Sequence, residues 1–251
     1  MRALQLFGLT GIGEIRAGDA VGLLICEACA RNGVRLEEGD VVVVAQKIVS
    51  KAEGRIVRLE EVRPSARASE LARVLDKDPA LVELILRESR GIVRTGARAL
   101  IVETRHGYVC ANAGVDQSNV GPGWVALLPE DPDASARRIR DEIAGRTGIS
   151  PAVVISDSFG RPWRIGTVDV AVGIAGLKPV RDERGLKDPY GYQLKAAVAA
   201  VADEIAAAAE LVMGKRDGVP VVVVRGCEIE KEERSVKELL RPEAEDLFRR
   251  F

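Results

Sequence analysis

Two runs of four consecutive valines, Val41–Val44 and Val221–Val224, constrain this chain most. A branched apolar run with no polar alternation reads as a strand covered on both faces, because an exposed face would alternate in polarity. The spacing predicts buried strands over Val41–Ala45 and Val219–Val224, and Ala152–Ile155 is a third apolar run of the same kind. Each run ends in polar residues. Val41–Ala45 opens into Gln46, Lys47 and Lys51, and Ala152–Ile155 opens into Asp157, Ser158, Arg161, Trp163 and Arg164. Gly160 and Pro162 make this last stretch, Ile155–Gly166, a non-helical loop after a strand. A carboxylate, a hydroxyl and two guanidiniums at a strand end suit a metal and phosphate, or an idle turn with a solvated ion pair.

Other elements follow from periodicity and punctuation. Residues 2–7 read as a strand leading into Gly8–Gly13, a glycine-rich loop that fits neither the Walker A pattern nor the dinucleotide fingerprint. Asp19 is placed to cap a helix over Ala20–Arg31, and Gly33 to end it. Two helices are expected within 66–88, broken at Asp78-Pro79, followed by a basic loop or short strand at Arg90–Arg94. Ala99–Thr104 and Gly107–Cys110 read as a hairpin with His106 as a solvated turn residue at its tip. A helix capped by Asp131 or Asp133 runs to about Gly145, and Thr167–Gly173 alternates like a strand. Lys178–Pro189 reads as a charged loop, Gln193–Gly214 as a long alanine-rich helix, and Glu230–Phe251 as a charged helical tail. Ala111–Val120 is a second polar stretch after a strand, in which Asp116 serves as a turn cap or as a hard oxygen ligand for a cation.

Composition narrows the function classes. With 251 residues, 47% hydrophobic and 30% charged, the chain can bury a sizeable core. Its formal net charge of -1 and 4% aromatic content give no electrostatic or stacking case for nucleic acid. No uninterrupted apolar stretch reaches the roughly 18 residues of a membrane span, and the N-terminus does not read as a signal peptide, so no membrane partner and a cytoplasmic location are expected. Cys26, Cys29, Cys110 and Cys227 are expected to be buried free thiols, since no second pair completes a zinc site. Irregular alternation of strands and helices favours an α+β fold of two interlocked lobes with mixed or antiparallel sheets over a doubly wound, Rossmann or P-loop fold.

Three stretches taken together are specific: Gly39–Gly54, Ala113–Asn119 and Ile155–Arg164. With Leu211–Gly214 and Val221–Gly226 they resemble the coenzyme F420-0:L-glutamate ligase family, over nearly the whole chain to about Gly226. The resemblance implies a homodimeric enzyme that joins γ-linked L-glutamate to a deazaflavin precursor with GTP as co-substrate. It also implies Mg2+ or Mn2+, with K+ as a further cation. A single ligase domain over residues 1–251 is expected, without the nitroreductase-like domain fused in some relatives. By position, the resemblance implies a divalent metal on Asp116 and Asp157 with Ser158 beside them. It implies the nucleotide near Leu9, Thr10, Gly11, Ile12, Gln46, Lys47, Lys51, Asn119, Met213 and Gly214.

The chemistry fits these residue types. A carboxylate must be activated, here as an acyl phosphate, before an amine displaces it; Asp116, Asp157 and Lys51 are the expected catalytic residues. Arg161 and Arg164 are expected to bind substrate carboxylates or phosphodiester, which guanidinium pairs bidentately. Two positions depart from the family pattern. Lys215 stands where some members carry an acidic second-metal ligand, and Tyr192 where an arginine is expected, with Ala197 near an expected threonine. A related ligase with another acceptor and a non-catalytic nucleotide-binding protein therefore stay open.

Overall fold

The computed structural model describes residues 2–96 and 99–248. Its main sheet contains β1 (Gln5–Leu9), β2 (Val41–Ala45), β8 (Ala152–Arg161), β9 (Arg164–Ala175) and β12 (Val221–Arg225), in the order β1-β12-β2-β8-β9. Only β2 and β8 run parallel; the other neighbours are antiparallel. Val41–Val44 and Val221–Val224 are the central strands, and all but Val224 (1%) are 0% exposed. Helices α1 (Val21–Arg31), α5 (Pro132–Thr147) and α6 (Val201–Met213) cover them.

Register shows that both faces are covered. Gly8, Val222, Val43 and Val154 are successive partners and share a face. A Cβ added at Gly8 would fall 2.7 Å from Val212, so α6 packs there. Ile155 and Gly173 are partners on the opposite face, where a Cβ at Gly173 would fall 2.5 Å from the Pro132 carbonyl oxygen at the start of α5. Glycine at these positions permits close helix–strand approach, which explains why no polar alternation marks the valine runs.

A second apolar cluster, with Leu75, Leu81, Ile85, Leu100, Val102 and Val125, forms the other lobe. It unites β3 (Ile56–Arg58), α3 (Ala66–Leu75), α4 (Pro79–Arg87), β4 (Ser89–Thr95), β5 (Leu100–Thr104), β6 (Val109–Ala111) and β7 (Trp124–Ala126). The α2 helix (Gln46–Ala52) begins directly at the end of β2. The architecture is α+β with mixed and antiparallel sheets, as the sequence indicates.

Several sequence expectations are corrected. Ile155–Gly166 is not a loop after a strand: β8 continues to Arg161 and turns through Pro162-Trp163 into β9, because the ladder partners Asp157–Gly160 with Thr167–Val170. Gln46–Ala52 is helical. Gln193–Ala200 is not: Leu194 N donates to Leu186 O and Glu183 N to Ala197 O, and β11 (Val198–Ala199) pairs with β10 (Arg181–Asp182), so α6 starts only at Val201. The tail forms short 3-10 turns at Val236–Leu239 and Glu243–Glu245, with Pro242 unable to donate in a longer helix; residues 249–251 lie outside the described set. Asp19 does not cap α1, whose N-cap is Ala20; its carboxylate accepts from Arg16 N. His106 is not a solvated tip. Its Nε2 lies 2.8 Å from Pro129 O, its ring stacks on Tyr108, and burial lowers its pKa. The four cysteines are free as expected, but only Cys29 and Cys110 are buried; Cys26 and Cys227 are half-buried.

Gly173→Ala is expected to lower stability by about 1–3 kcal/mol, the usual cost of overpacking a filled site, read as a drop in the denaturation midpoint.

Candidate active site

The β2–β8 pairing ends with Ala45 beside Ser156, where β2 gives way to α2 while β8 runs on to Arg161. Where that parallel pairing stops lies a cavity of about 980 Å³ between the two lobes. Crevices at the carboxyl ends of parallel strands are natural ligand sites, and this volume is at the upper end of the roughly 300–1,000 Å³ of small-molecule pockets.

The second lobe contributes Asp116. Its backbone is pinned by a reciprocal pair of bonds, Asp116 N to Ala126 O (3.0 Å) and Ala126 N to Asp116 O (2.8 Å). The loop before and after it is conformationally unusual: Asn112, Ala113 and Asn119 all have φ between 54° and 57°. The left-handed region costs alanine most, and such stored strain gathers at functional sites. Lys47 Nζ pairs with Asp116 Oδ2 and donates to Ser118 O at 2.6 Å, while Ser118 Oγ and N donate to the same carboxylate at 2.7 and 2.9 Å. Burial raises the Asp116 pKa, but the Lys47 and Ser118 hydrogen bonds outweigh it and hold the carboxyl below its ordinary value. Lys51, four residues on and so on the same face of α2, also lines the cavity and pairs with Glu14 at 2.5 Å.

The main sheet contributes Ser156, Asp157, Ser158 and Asp169. Asp169 is 6% exposed; its two carboxylate oxygens accept from Ser156 Oγ (2.8 Å) and Ser158 Oγ (2.6 Å). Asp157 keeps some surface towards the cavity, yet desolvation pushes its carboxyl up to about 7, helped by the charges of Asp169 and Asp116 and opposed by the Ser158 N–H and Lys47. The end of α6 adds Glu210, Met213 and Gly214, and Lys215 and Arg216 follow at the wall. Gly214 has φ 53° and ψ -176°, a conformation essentially restricted to glycine.

The sequence-expected residues divide clearly. Ile12, Gln46, Lys47, Lys51, Asp116, Asn119, Asp157, Ser158, Met213 and Gly214 line one cavity. Leu9 is 0% exposed within β1, Thr10 is hydrogen-bonded to Asn32 at the end of α1, and Gly11 O accepts from Arg31; none of these three lines the wall. Arg161 and Arg164 face each other across the β8–β9 tip, also away from it. Of the departures, Lys215 lines the cavity, whereas Tyr192 and Ala197 do not. Sequence reading missed Asp169, Glu210, Glu14, Ser118 and Ser156. Asp169 sat unnoticed in an alternating strand, and its only signal was a carboxylate on an otherwise apolar segment.

Among the described residues, no three His, Cys, Asp or Glu side chains alone make a metal cage. The donor set nevertheless fits a hard divalent cation shared with a nucleotide, since Mg2+ generally takes one or two carboxylates and fills its shell with water and phosphate oxygens. The Ser158 hydroxyl commits its proton to Asp169, which leaves only lone pairs for the cavity.

Comparison with known proteins gives the chain's family. The family model described as F420-0:Gamma-glutamyl ligase matches residues 11–226. The chain belongs to the F420-0:gamma-glutamyl ligase family. It is 49% identical over 249 residues to the coenzyme F420:L-glutamate ligase of Methanothermobacter thermautotrophicus, covering 98% of this chain and 99% of that protein. Its counterpart from Methanopyrus kandleri is 46% identical over 241 residues (94% of each chain), and that from Archaeoglobus fulgidus 44% over 248 (98% and 97%). The chain is thus a ligase of this F420-0:gamma-glutamyl family. No helix among the described residues is long and apolar enough to cross a membrane.

Asp157 also sets the stability of the ligand-free enzyme. Between about pH 4 and pH 7 the native carboxyl retains a proton that the unfolded chain has released, so stability falls as pH rises through this window. In metal-free buffer, Asp157→Asn is expected to melt higher than the native ligase at about pH 8, by no more than roughly 4 kcal/mol, and to match it near pH 4.

Proposed function

We propose that this ligase condenses the amine of L-glutamate with an acceptor carboxylate of the deazaflavin precursor F420-0, the amide being γ-linked where that carboxylate is the γ-carboxyl of a glutamate already added, using GTP to activate the acceptor carboxylate as an acyl phosphate. The observation that carries the reading is the meeting of Asp116, Asp157, Lys47 and Lys51 in one cavity, in a chain 49% identical to a coenzyme F420:L-glutamate ligase along nearly its full length.

The residues support a two-stage reaction. The acceptor carboxylate attacks the γ-phosphorus of GTP, forming the acyl phosphate and releasing GDP. The glutamate amine then attacks the acyl carbon, its proton is lost, and inorganic phosphate leaves as the amide forms. Both stages concentrate negative charge on phosphate oxygens. Lys47 and Lys51 sit four residues apart on α2 and present ammonium groups to that charge, while Ser118 and Asp116 fix the direction of Lys47. Asp116, Asp157 and Ser158 would hold Mg2+ or Mn2+, which supplies charge neutralisation and alignment of the phosphates when bound. K+ is the proposed accompanying monovalent cation. Gln46, Asn119 and the Met213-Gly214 turn offer walls for the nucleotide.

Two exposed arms support a homodimer. Trp163 (82% exposed) and Ile165 (101%) sit at the β8–β9 tip, and Tyr190 (96%) and Tyr192 (59%) on the 183–197 hairpin. Apolar side chains in such number at two protruding tips are typical of surfaces that meet another protein. The arms also carry Arg161 and Arg164, which stay the proposed contacts for the substrate's anionic groups although they lie off the cavity wall of their own chain.

The test is phosphate release with GTP, Mn2+ or Mg2+, K+, L-glutamate and the deazaflavin precursor. Turnover requiring all components is expected; turnover without glutamate dependence, or none with this precursor, would refute the reading. Asp157→Asn is expected to abolish metal-dependent turnover with the fold intact, and full activity would refute the metal assignment. Light scattering on the native chain is expected to give twice the 27.0 kDa chain mass, and Trp163→Glu with Ile165→Glu to shift it towards monomer.

A further inference from the structure

β8 and β9 pair one-for-one from Val153–Ala175 to Ile155–Gly173, and the next pair is Ser156–Ala171. Val172 is therefore an extra residue on β9, a β-bulge. In a ladder of period two, one extra residue reverses the face of every side chain beyond it. Without the bulge Asp169 would stand opposite Phe159, on the face of Asp157. With it, Asp169 stands opposite Ser158 and takes the protons of Ser156 and Ser158.

β9 is an edge strand, so its outer backbone groups have no strand to pair with. Three side chains from three separate parts of the chain take up these groups around the bulge. Asp203 Oδ1 of α6 accepts from Ala171 N at 2.9 Å, the Tyr108 hydroxyl donates to Val172 O at 2.5 Å, and Asp133 Oδ1 of α5 accepts from Ile174 N at 2.8 Å. Asp133 also accepts from Ser235 Oγ, and so ties the tail to the same strand. Asp203 is different: among the described residues its hydrogen-bond partner is the Ala171 amide, and desolvation holds its carboxyl above the ordinary range. Asp203 is half-buried, and a partly desolvated carboxylate turned to one backbone amide offsets part of its desolvation through that bond.

We infer that Asp203, outside the cavity, is a positioning residue for the ligase reaction: by holding the Ala171 amide it fixes the Val172 bulge, which turns Asp169 to the face where it orients the Ser158 hydroxyl oxygen towards a bound cation. The inference rests on the ligase reading for its kinetic consequence, while the bulge and its geometry stand independently of it.

The experiment compares the full-length native chain with Asp203→Ala and Asp203→Asn. The asparagine keeps an Oδ1 acceptor for Ala171 N, and the alanine does not. Asp203→Ala is expected to lower kcat roughly 100-fold, the scale of a misplacement of about 1 Å at a reacting centre, with KM for GTP unchanged. Asp203→Asn restores most of kcat. Hydrogen exchange at the Ala171 amide accelerates in the alanine variant alone. Native kcat in Asp203→Ala, or equal loss in both variants with Ala171 still protected, overturns the inference. Should Asp203→Ala fail to fold, Asp203→Glu displaces the carboxylate by one methylene and carries the same expectation of lowered kcat at constant KM. If the native chain releases no phosphate at all, the ligase reading fails. The inference is then decided by Mn2+ titration alone: about tenfold weaker binding in Asp203→Ala and native binding in Asp203→Asn support it, and equal binding in all three overturns it.

Discussion

The parallel pairing of β2 with β8 is the constraint on which the rest depends. It brings Ala45 level with Ser156, so that two chain segments over a hundred residues apart leave the core side by side. From one exit comes α2 with Lys47 and Lys51, and from the other the polar half of β8 with Asp157 and Ser158. The register is strongly specified because both faces are buried: Val41–Val44 and Val153–Ile155 are all 0% exposed. Each such side chain contributes about 1.5–3 kcal/mol of burial, and a one-residue slip would misplace the whole set. The apolar core thereby determines where the ionic site is built.

That site is held in an electrostatically unsatisfied state. Asp116 is held as an anion by Lys47 and Ser118, and Asp169 accepts from two serine hydroxyls, whereas Asp157 is desolvated and feels the charges of Asp169 and Asp116. A desolvated carboxylate between two others is unfavourable alone and favourable beside a cation. The strained backbone at Ala113 and Asn119 is of the same nature, a local cost sustained by the surrounding lobe.

The lobes divide the work. The valine-rich sheet provides a rigid floor with helices on both faces, and the smaller lobe provides the Asp116 loop as a facing wall. Gly114 lets that loop approach Leu128, where a Cβ would fall 2.9 Å from the leucine side chain. The edge of the floor, β9, is covered by side chains rather than by another strand, which protects it from further pairing and admits a bulge at the level of the site.

The sequence by itself determined the buried strands, because unbroken β-branched runs have no other stable environment, and the break at Asp78-Pro79, because proline fits a first helical turn. The polar stretches at Gln46–Lys51, Ala113–Asn119 and Asp157–Ser158 were also legible there as chemistry at strand ends. The helix over Gln193–Ala200 was misread because alanine favours helix locally, whereas backbone pairing with residues 183–187 holds this segment extended. The end of β8 was misread because Gly160 and Pro162 signal a turn without telling how far the ladder extends. Only the tertiary structure decided that Leu9, Thr10 and Gly11 stay off the cavity wall and that Asp169 lies on it. The face of Asp169 depends on one extra residue, Val172, whose carbonyl and the neighbouring Ala171 amide are taken up by side chains distant in sequence. No local pattern encodes that arrangement, since the three partners come from three different parts of the chain and meet only when the core has closed.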